Sequence, residues 1–241
     1  MERNKFIEKD KEIIQLIKTT VVSRHKNLFP IYDGVIDIEK YISAKFKILW
    51  ILKEPYDDFD KNGKPTGGDW HMREAIIPKT KLLEFKGGRN TFEPMIYSTW
   101  SILNNFPEWN EMTEIEKAPQ MIDSIKSIGY INVKKIPGKT ASSSTVISNN
   151  YNKFKDLLLK QIEYLDPNII IGGSTLHLFL KDLGVDTKSV NKTKEINYYY
   201  HNGKLLIDAY HPAQRTGNTG VTKEMYCNSI INAVKEWANI K

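Results

Sequence analysis

The sequence predicts an α/β fold of three layers, with a central, mostly parallel sheet between helices. Three observations predict it. Short apolar runs at 47–52, 129–133, 168–171 and 204–209 have the length of buried strands and stop abruptly. Amphipathic stretches of helical period lie between them. The two kinds alternate along the chain, as crossover connections between parallel strands require. A chain of 241 residues is long enough for one such domain with a sizeable core, expected to span 1–241.

In order, residues 6–22 set Phe6, Ile7, Ile13, Ile14, Leu16, Ile17, Val21 and Val22 among lysines and glutamates, an amphipathic helix. With a short helix around Asp37 to Ala44, this forms a helical extension over about 1–45. The strand at 47–52 follows. Residues 57–91 are polar and glycine-rich and predict a loop-rich insertion, with a short helix near Met72 to Ile77; long loops in compact domains often carry function. Helices at about 93–105 and 114–127 lead to the strand at 129–133 and the polar loop Pro137 to Thr145. A helix over about 148–165 closes at Asp166-Pro167, where proline ends the pattern. The strand at 168–171 runs through Gly172-Gly173-Ser174 into a helix expected at 174–183, the usual opening of an α/β unit. A strand near 196–200, the strand at 204–209 and a final helix from about 222 to 239 complete the chain.

Composition narrows the functional classes. With 40% hydrophobic and 27% charged residues the chain reads as soluble and globular. No apolar run approaches a membrane span, and the charged N-terminus lacks a secretory pattern. The single cysteine, Cys227, excludes an intrachain disulfide and any cysteine-built metal or iron–sulfur site. A cytoplasmic monomer without a cofactor or metal is expected. Thirty-five basic against 29 acidic residues leave a net charge of +6, compatible with a nucleic-acid partner. No Gly-x-Gly-x-x-Gly follows a strand, and Gly138-Lys139-Thr140 lacks the upstream glycine of a phosphate loop.

The candidate chemistry sits at strand ends. The first strand runs into Glu54-Pro55-Tyr56, the second carries Asn132 and then Lys134 and Lys135, and the last runs into His211-Pro212. Proline holds the residue before it extended. In parallel sheets, the C-terminal ends of the strands are where sites are built.

Taken together, these segments resemble the uracil-DNA glycosylase superfamily. Leu52-Lys53-Glu54-Pro55-Tyr56 is similar to its first motif, Asn132 to its base-reading asparagine, Ile162 through Gly172 to its helix–Asp-Pro–strand–Gly segment, and His211-Pro212-Ala213 to its His-Pro-Ser motif. The ordered set covers roughly 45–240. There are departures: Leu52 replaces a glycine, Glu54 stands where one branch has aspartate, and Ala213 replaces the serine. These put the identity of the excised base in doubt.

The resemblance implies hydrolysis of a base–sugar bond in DNA, with catalytic roles for Glu54 and His211. A carboxylate stabilises an oxocarbenium-like sugar and orients water. A histidine N–H stabilises charge developing on the departing base. The Asn132 amide presents a donor and an acceptor side by side, matching a pyrimidine edge. Tyr56, Phe92 and Trp70 are the candidates to stack on or wall the flipped base. Lys134, Lys135, Lys139, Ser142, Ser143 and Ser144 are the candidates for phosphate contacts, and Gln214 with Arg215 for the loop that enters the groove. Two pyrimidine readings stay open: uracil, or a bulky modified cytosine removed from phage DNA as defence. A catalytically silent DNA-binding member of the same fold is the third.

Overall fold

The computed structural model describes residues 3–76, 82–83, 88–139, 141–214 and 220–240. Its helices are α1 (Arg3–Arg24), α2 (Ile38–Ser43), α3 (Met72–Ile76), α4 (Gly88–Leu103), α5 (Ser144–Leu165) and α6 (Lys223–Ile240). Its strands are β1 (Ile31–Tyr32), β2 (Gly34–Val35), β3 (Ile48–Leu52), β4 (Trp70–His71), β5 (Ile128–Asn132), β6 (Ile169–Gly173), β7 (Asn191–Lys192), β8 (Ile196–His201) and β9 (Lys204–Ala209).

Seven strands form one sheet in the order β2-β5-β3-β6-β9-β8-β7. The inner four, β5, β3, β6 and β9, are all parallel. Every residue of β3, β5 and β6 is buried, which is why these strands read as continuous apolar runs rather than alternating ones. Their side chains still alternate. Ile48, Trp50 and Leu52 join one apolar cluster with residues of α4 and α6, while Leu49 and Ile51 join another with residues of α1 and α5. Helices therefore cover both faces. The antiparallel edges are β2 on one side and the β8–β9 hairpin with β7 on the other. Asn202 and Gly203, both at positive φ (49° and 72°), make the tight hairpin turn.

The N-terminal stretch over 1–45 packs onto the core. Phe6, Ile13, Ile17 and Val21 of α1 are buried in the same cluster as α5, and β2 extends the main sheet beside β5. Two helix expectations are corrected. The helix expected at 174–183 is only a single 3-10 turn, Leu176–Leu178, because a left-handed Ser174 (φ 59°) turns the chain sharply after the glycines. The helix expected over 114–127 is 3-10 over Pro119–Ser127. Within 57–91 the insertion has some order: β4 pairs in parallel with β1. Arg73 of α3 donates to both oxygens of Asp10 at 3.0 Å, and the Tyr164 hydroxyl donates to Asp10 at 2.8 Å. These bonds pin α3 to α1 and α5.

The topology marks where a site belongs. After β3 the main sheet continues with β5 on one side, and after β6 it continues with β9 on the other. Connections that diverge this way leave a crevice at the C-terminal ends of β3 and β6.

Candidate active site

Asn132 ends β5, in register with Leu52 at the end of β3. Glu54 and His211 each lie two residues past their strands, β3 and β9. The three residues thus share the C-terminal edge of the parallel core. A cleft of about 660 Å³ opens there, lined by Glu54, Tyr56, Trp70, Phe92, Lys139, Ser142 and His211 among others. Between Glu54 and His211 lies the end of β6, which is Gly172-Gly173. A Cβ on Gly173 would stand 2.5 Å from Leu52 Cδ2, 3.2 Å from Pro212 Cδ and 3.5 Å from His211 Cα. Only glycine lets the two flanking strand ends close over β6.

Glu54 is gripped from two directions. Lys134 Nζ donates to its Oε2 at 2.7 Å, with both side chains largely buried (14% and 6% exposed). The Gly138 backbone packs against it so closely that a Cβ there would lie 2.5 Å from Glu54 Cγ. Gly138 is itself fixed: its N–H donates to the Pro55 carbonyl at 2.7 Å, and it bridges to Tyr56.

His211 is set by backbone bonds. Its N–H donates to Ser174 Oγ at 2.8 Å, and Ser174 N–H donates to the Ala209 carbonyl at 2.7 Å. The Ala213 N–H donates to His211 Nδ1 at 3.2 Å, so the neutral ring carries its hydrogen on Nε2. Burial, reinforced by the nearby Lys53 ammonium, pushes the imidazole down to about 4. At neutral pH His211 is therefore an uncharged N–H donor.

Asn132 is fully buried and does not itself line the cleft. The Tyr130 hydroxyl is the polar group beside its amide, which makes no well-formed hydrogen bond among the described residues. Such a group costs about 1–3 kcal/mol when left unsatisfied. It shares a strand face with Tyr130, which lines the cleft and meets Phe92 edge-on at 6.1 Å. The Asn132 N–H donates to Asp33 Oδ2 at 2.8 Å, and Asp33 also accepts from Gln161 Nε2 at 2.9 Å.

Asp33 overturns one expectation. Lys135 does not face a phosphate: it is fully buried, with Nζ 2.7 and 2.9 Å from the two Asp33 oxygens. A buried ammonium needs such a counterion, and here it braces the end of β5. Lys134 is at the site but its ammonium is held by Glu54, not offered to solvent. Ser143 is the N-cap of α5, accepting from the Val146 N–H at 3.2 Å. Lys139 is exposed and lies over the Phe59 ring at 5.5 Å, and Ser142 lines the cleft. Tyr56 stands at the cleft 59% exposed, while Trp70 donates its Nε1–H to Asp57 Oδ2 at 2.7 Å. Arg215 lies outside the described residues, as does the side chain of Gln214.

Asp33, which braces the end of β5, and Gly138, which packs on Glu54, are the residues that sequence reasoning missed. Gly138 and Gly173 carried a signal, since each is a glycine beside a strand end, but what they accommodate comes from distant parts of the chain. No family model matches the chain, and no curated protein matches it.

Proposed function

We propose that the chain is a DNA glycosylase that hydrolyses the N-glycosidic bond of a flipped pyrimidine and leaves an abasic site. The observation that carries the reading is that Glu54 and a neutral, Nε2-protonated His211 line one cleft, at the sheet edge where the Asn132 amide lies buried beside Tyr130. In this mechanism Glu54 stabilises positive charge on the sugar and orients the attacking water. The His211 N–H meets the charge that develops on the departing base, a role worth about 3 kcal/mol for a donor of this kind. In this mechanism the Asn132 amide hydrogen-bonds the base edge. Phe92, Tyr56 and Trp70 surround the ring, and exclusion of water strengthens each polar contact. The parallel core with helices on both faces fits the three-layer arrangement of the uracil-DNA glycosylase superfamily, acting as a cytoplasmic monomer on DNA.

A second reading of the substrate is favoured by a specific observation. The insertion supplies Trp70, Met72, Ala75, Ile76 and Leu82 to the cleft wall. A pocket widened in this way suits a bulky 5-substituted cytosine, as in a defence enzyme acting on modified phage DNA. The test is abasic-site formation on DNA holding uracil or a bulky modified cytosine, read by alkaline cleavage. Single-turnover excision is expected to fall at least about tenfold in both Glu54→Gln and His211→Ala, with DNA binding kept. Excision at wild-type rates by both variants, or no abasic site from any base, overturns the reading.

A further inference from the structure

We propose that the loop between α1 and β1, with the adjoining turn of α5, binds an unpaired stretch of the DNA strand that flanks the cleft. Its phosphates rest on Arg24, Lys26 and Lys153, and one of its bases stacks on Phe29. The proposal rests on the glycosylase reading for its partner and adds to it the strand form that the protein prefers.

The cations gather from two separate elements. Arg24 ends α1, Lys26 follows it, and Lys153 projects from α5; all three are exposed. Lys153 Nζ comes within 3.4 Å of His25 Nε2. Burial of His25, with the charges of Lys153, Lys134 and Arg24 pushing the same way, holds its imidazole below the usual range. Among the described residues, none of Arg24, Lys26 and Lys153 is paired with a carboxylate. Like charges held together this way repel one another, and an incoming phosphate chain relieves that repulsion.

The loop is joined to the cleft at both ends. Near His25, Lys134 acts on the imidazole and also donates to Glu54. Near Phe29, the neighbouring Pro30 carbonyl accepts from the Asp69 N–H at 2.7 Å, and the Phe29 side chain packs against Gly68. The Gly68 N–H donates to Asp57 Oδ2 at 2.8 Å, the same oxygen that holds Trp70 in the cleft wall. A strand leaving the cleft past Trp70 and Asp57 runs toward Phe29 in this proposal.

Phe29 decides the strand form. It is 57% exposed, although Phe6, Phe154 and Phe179 of the same chain are buried. An exposed ring beside cations is a stacking platform for a nucleobase, and it is sequence-tolerant because every base has a π face. Bases inside a duplex have both faces covered by their neighbours, so only an unpaired base is open to it.

The experiment measures binding of the whole chain to an oligodeoxythymidine strand and to a duplex of equal length, by fluorescence anisotropy across a salt series. Phe29→Ala is expected to weaken binding to the single strand at least about fivefold, while binding to the duplex stays within about twofold. Arg24→Gln, Lys26→Gln and Lys153→Gln together are expected to reduce the slope of log K against log salt on the single strand by about 2, at about 0.7 per lost phosphate contact. Equal losses on both DNA forms in Phe29→Ala, no loss on either, or an unchanged slope overturns the proposal. Wild-type excision is assayed in parallel. A wild type that excises a base while the loop variants bind as before overturns the loop proposal alone. One that binds through the loop but excises nothing leaves the loop proposal standing and overturns the glycosylase reading.

Discussion

Replacing Gly138 with alanine moves the Glu54 carboxylate without altering its chemistry. The added methyl would lie 2.5 Å from Glu54 Cγ and 2.6 Å from both Cδ and Oε2. Ordinary carbon contacts are about 3.5–4.0 Å, so the side chain must retreat by about 1 Å. The atoms that give way belong to the Glu54 side chain rather than to backbone, and Gly138 is not among the residues with positive φ. The fold should therefore bear the change with little loss of stability. The site should not: a misplacement of about 1 Å in a reacting constellation costs on the order of 100-fold in rate. It also disturbs the 2.7 Å bond from Lys134. Single-turnover excision by Gly138→Ala is expected to fall between about tenfold and 100-fold, with the thermal midpoint nearly unchanged. The same substitution in a Glu54→Gln background should add little, because the two changes act on one group. A folded Gly138→Ala protein that excises at the wild-type rate, or full additivity in the double variant, would refute the placement of Glu54 in the mechanism.

Three further outcomes follow from the same geometry. The His211 imidazole is about 4 in the folded chain against about 6.5 unfolded, so between these values the unfolded chain binds a proton that the native one does not. Stability should fall as pH drops from about 6.5 toward 4, and less so in His211→Gln, as read by denaturant midpoints; His71, pushed down to about 3, adds a loss of the same sign. Excision should meanwhile stay level through pH 6.5, since the Nε2 hydrogen is already in place; a rate inflection there would mean that the cation is the donor. Lys135→Met leaves Asp33 buried without its counterion and should cost about 3–5 kcal/mol in urea unfolding, with the salt slope of DNA binding unchanged; the reverse pattern would return Lys135 to the DNA surface. Tyr56→Ala should raise excision of a bulky 5-substituted pyrimidine relative to uracil by roughly tenfold if the ring is the wall, and an unchanged ratio would remove it from that role.

Much of the scaffold was legible because its signals are local. The strands at 47–52, 129–133 and 204–209 announce themselves by short, mostly apolar runs, and proline follows two of their ends at Pro55 and Pro212. Placing Glu54, Asn132 and His211 at one edge followed from parallel strands alone. What escaped depends on partners far along the chain. Lys135 reads as a surface cation until Asp33, 102 residues away, is seen to bury it. Lys134 reads as a phosphate contact until Glu54, 80 residues away, takes its ammonium. The apolar pattern after Ser174 promised a helix, but the left-handed turn there leaves room for one 3-10 turn only. The sequence of α1 shows an amphipathic stripe, yet nothing local tells whether the stripe covers the main sheet or stands away from it.

On the glycosylase reading, Gly173 bears on how the base taken could change. Because β3 and β9 flank β6, their ends stand roughly 10 Å apart, two strand spacings of about 4.8 Å. That separation is fixed by backbone, and the floor between carries no side chain that mutation could lengthen or trim. Any side chain at that position would drive Leu52 and the His-Pro turn apart. Selectivity can therefore be retuned only from the rim. The segment that follows Tyr56 supplies Trp70, Met72 and Ile76 to that rim, above a floor of fixed dimensions. On that reading, a fixed span of backbone under a variable rim would let the base change while Glu54 and His211 keep their places.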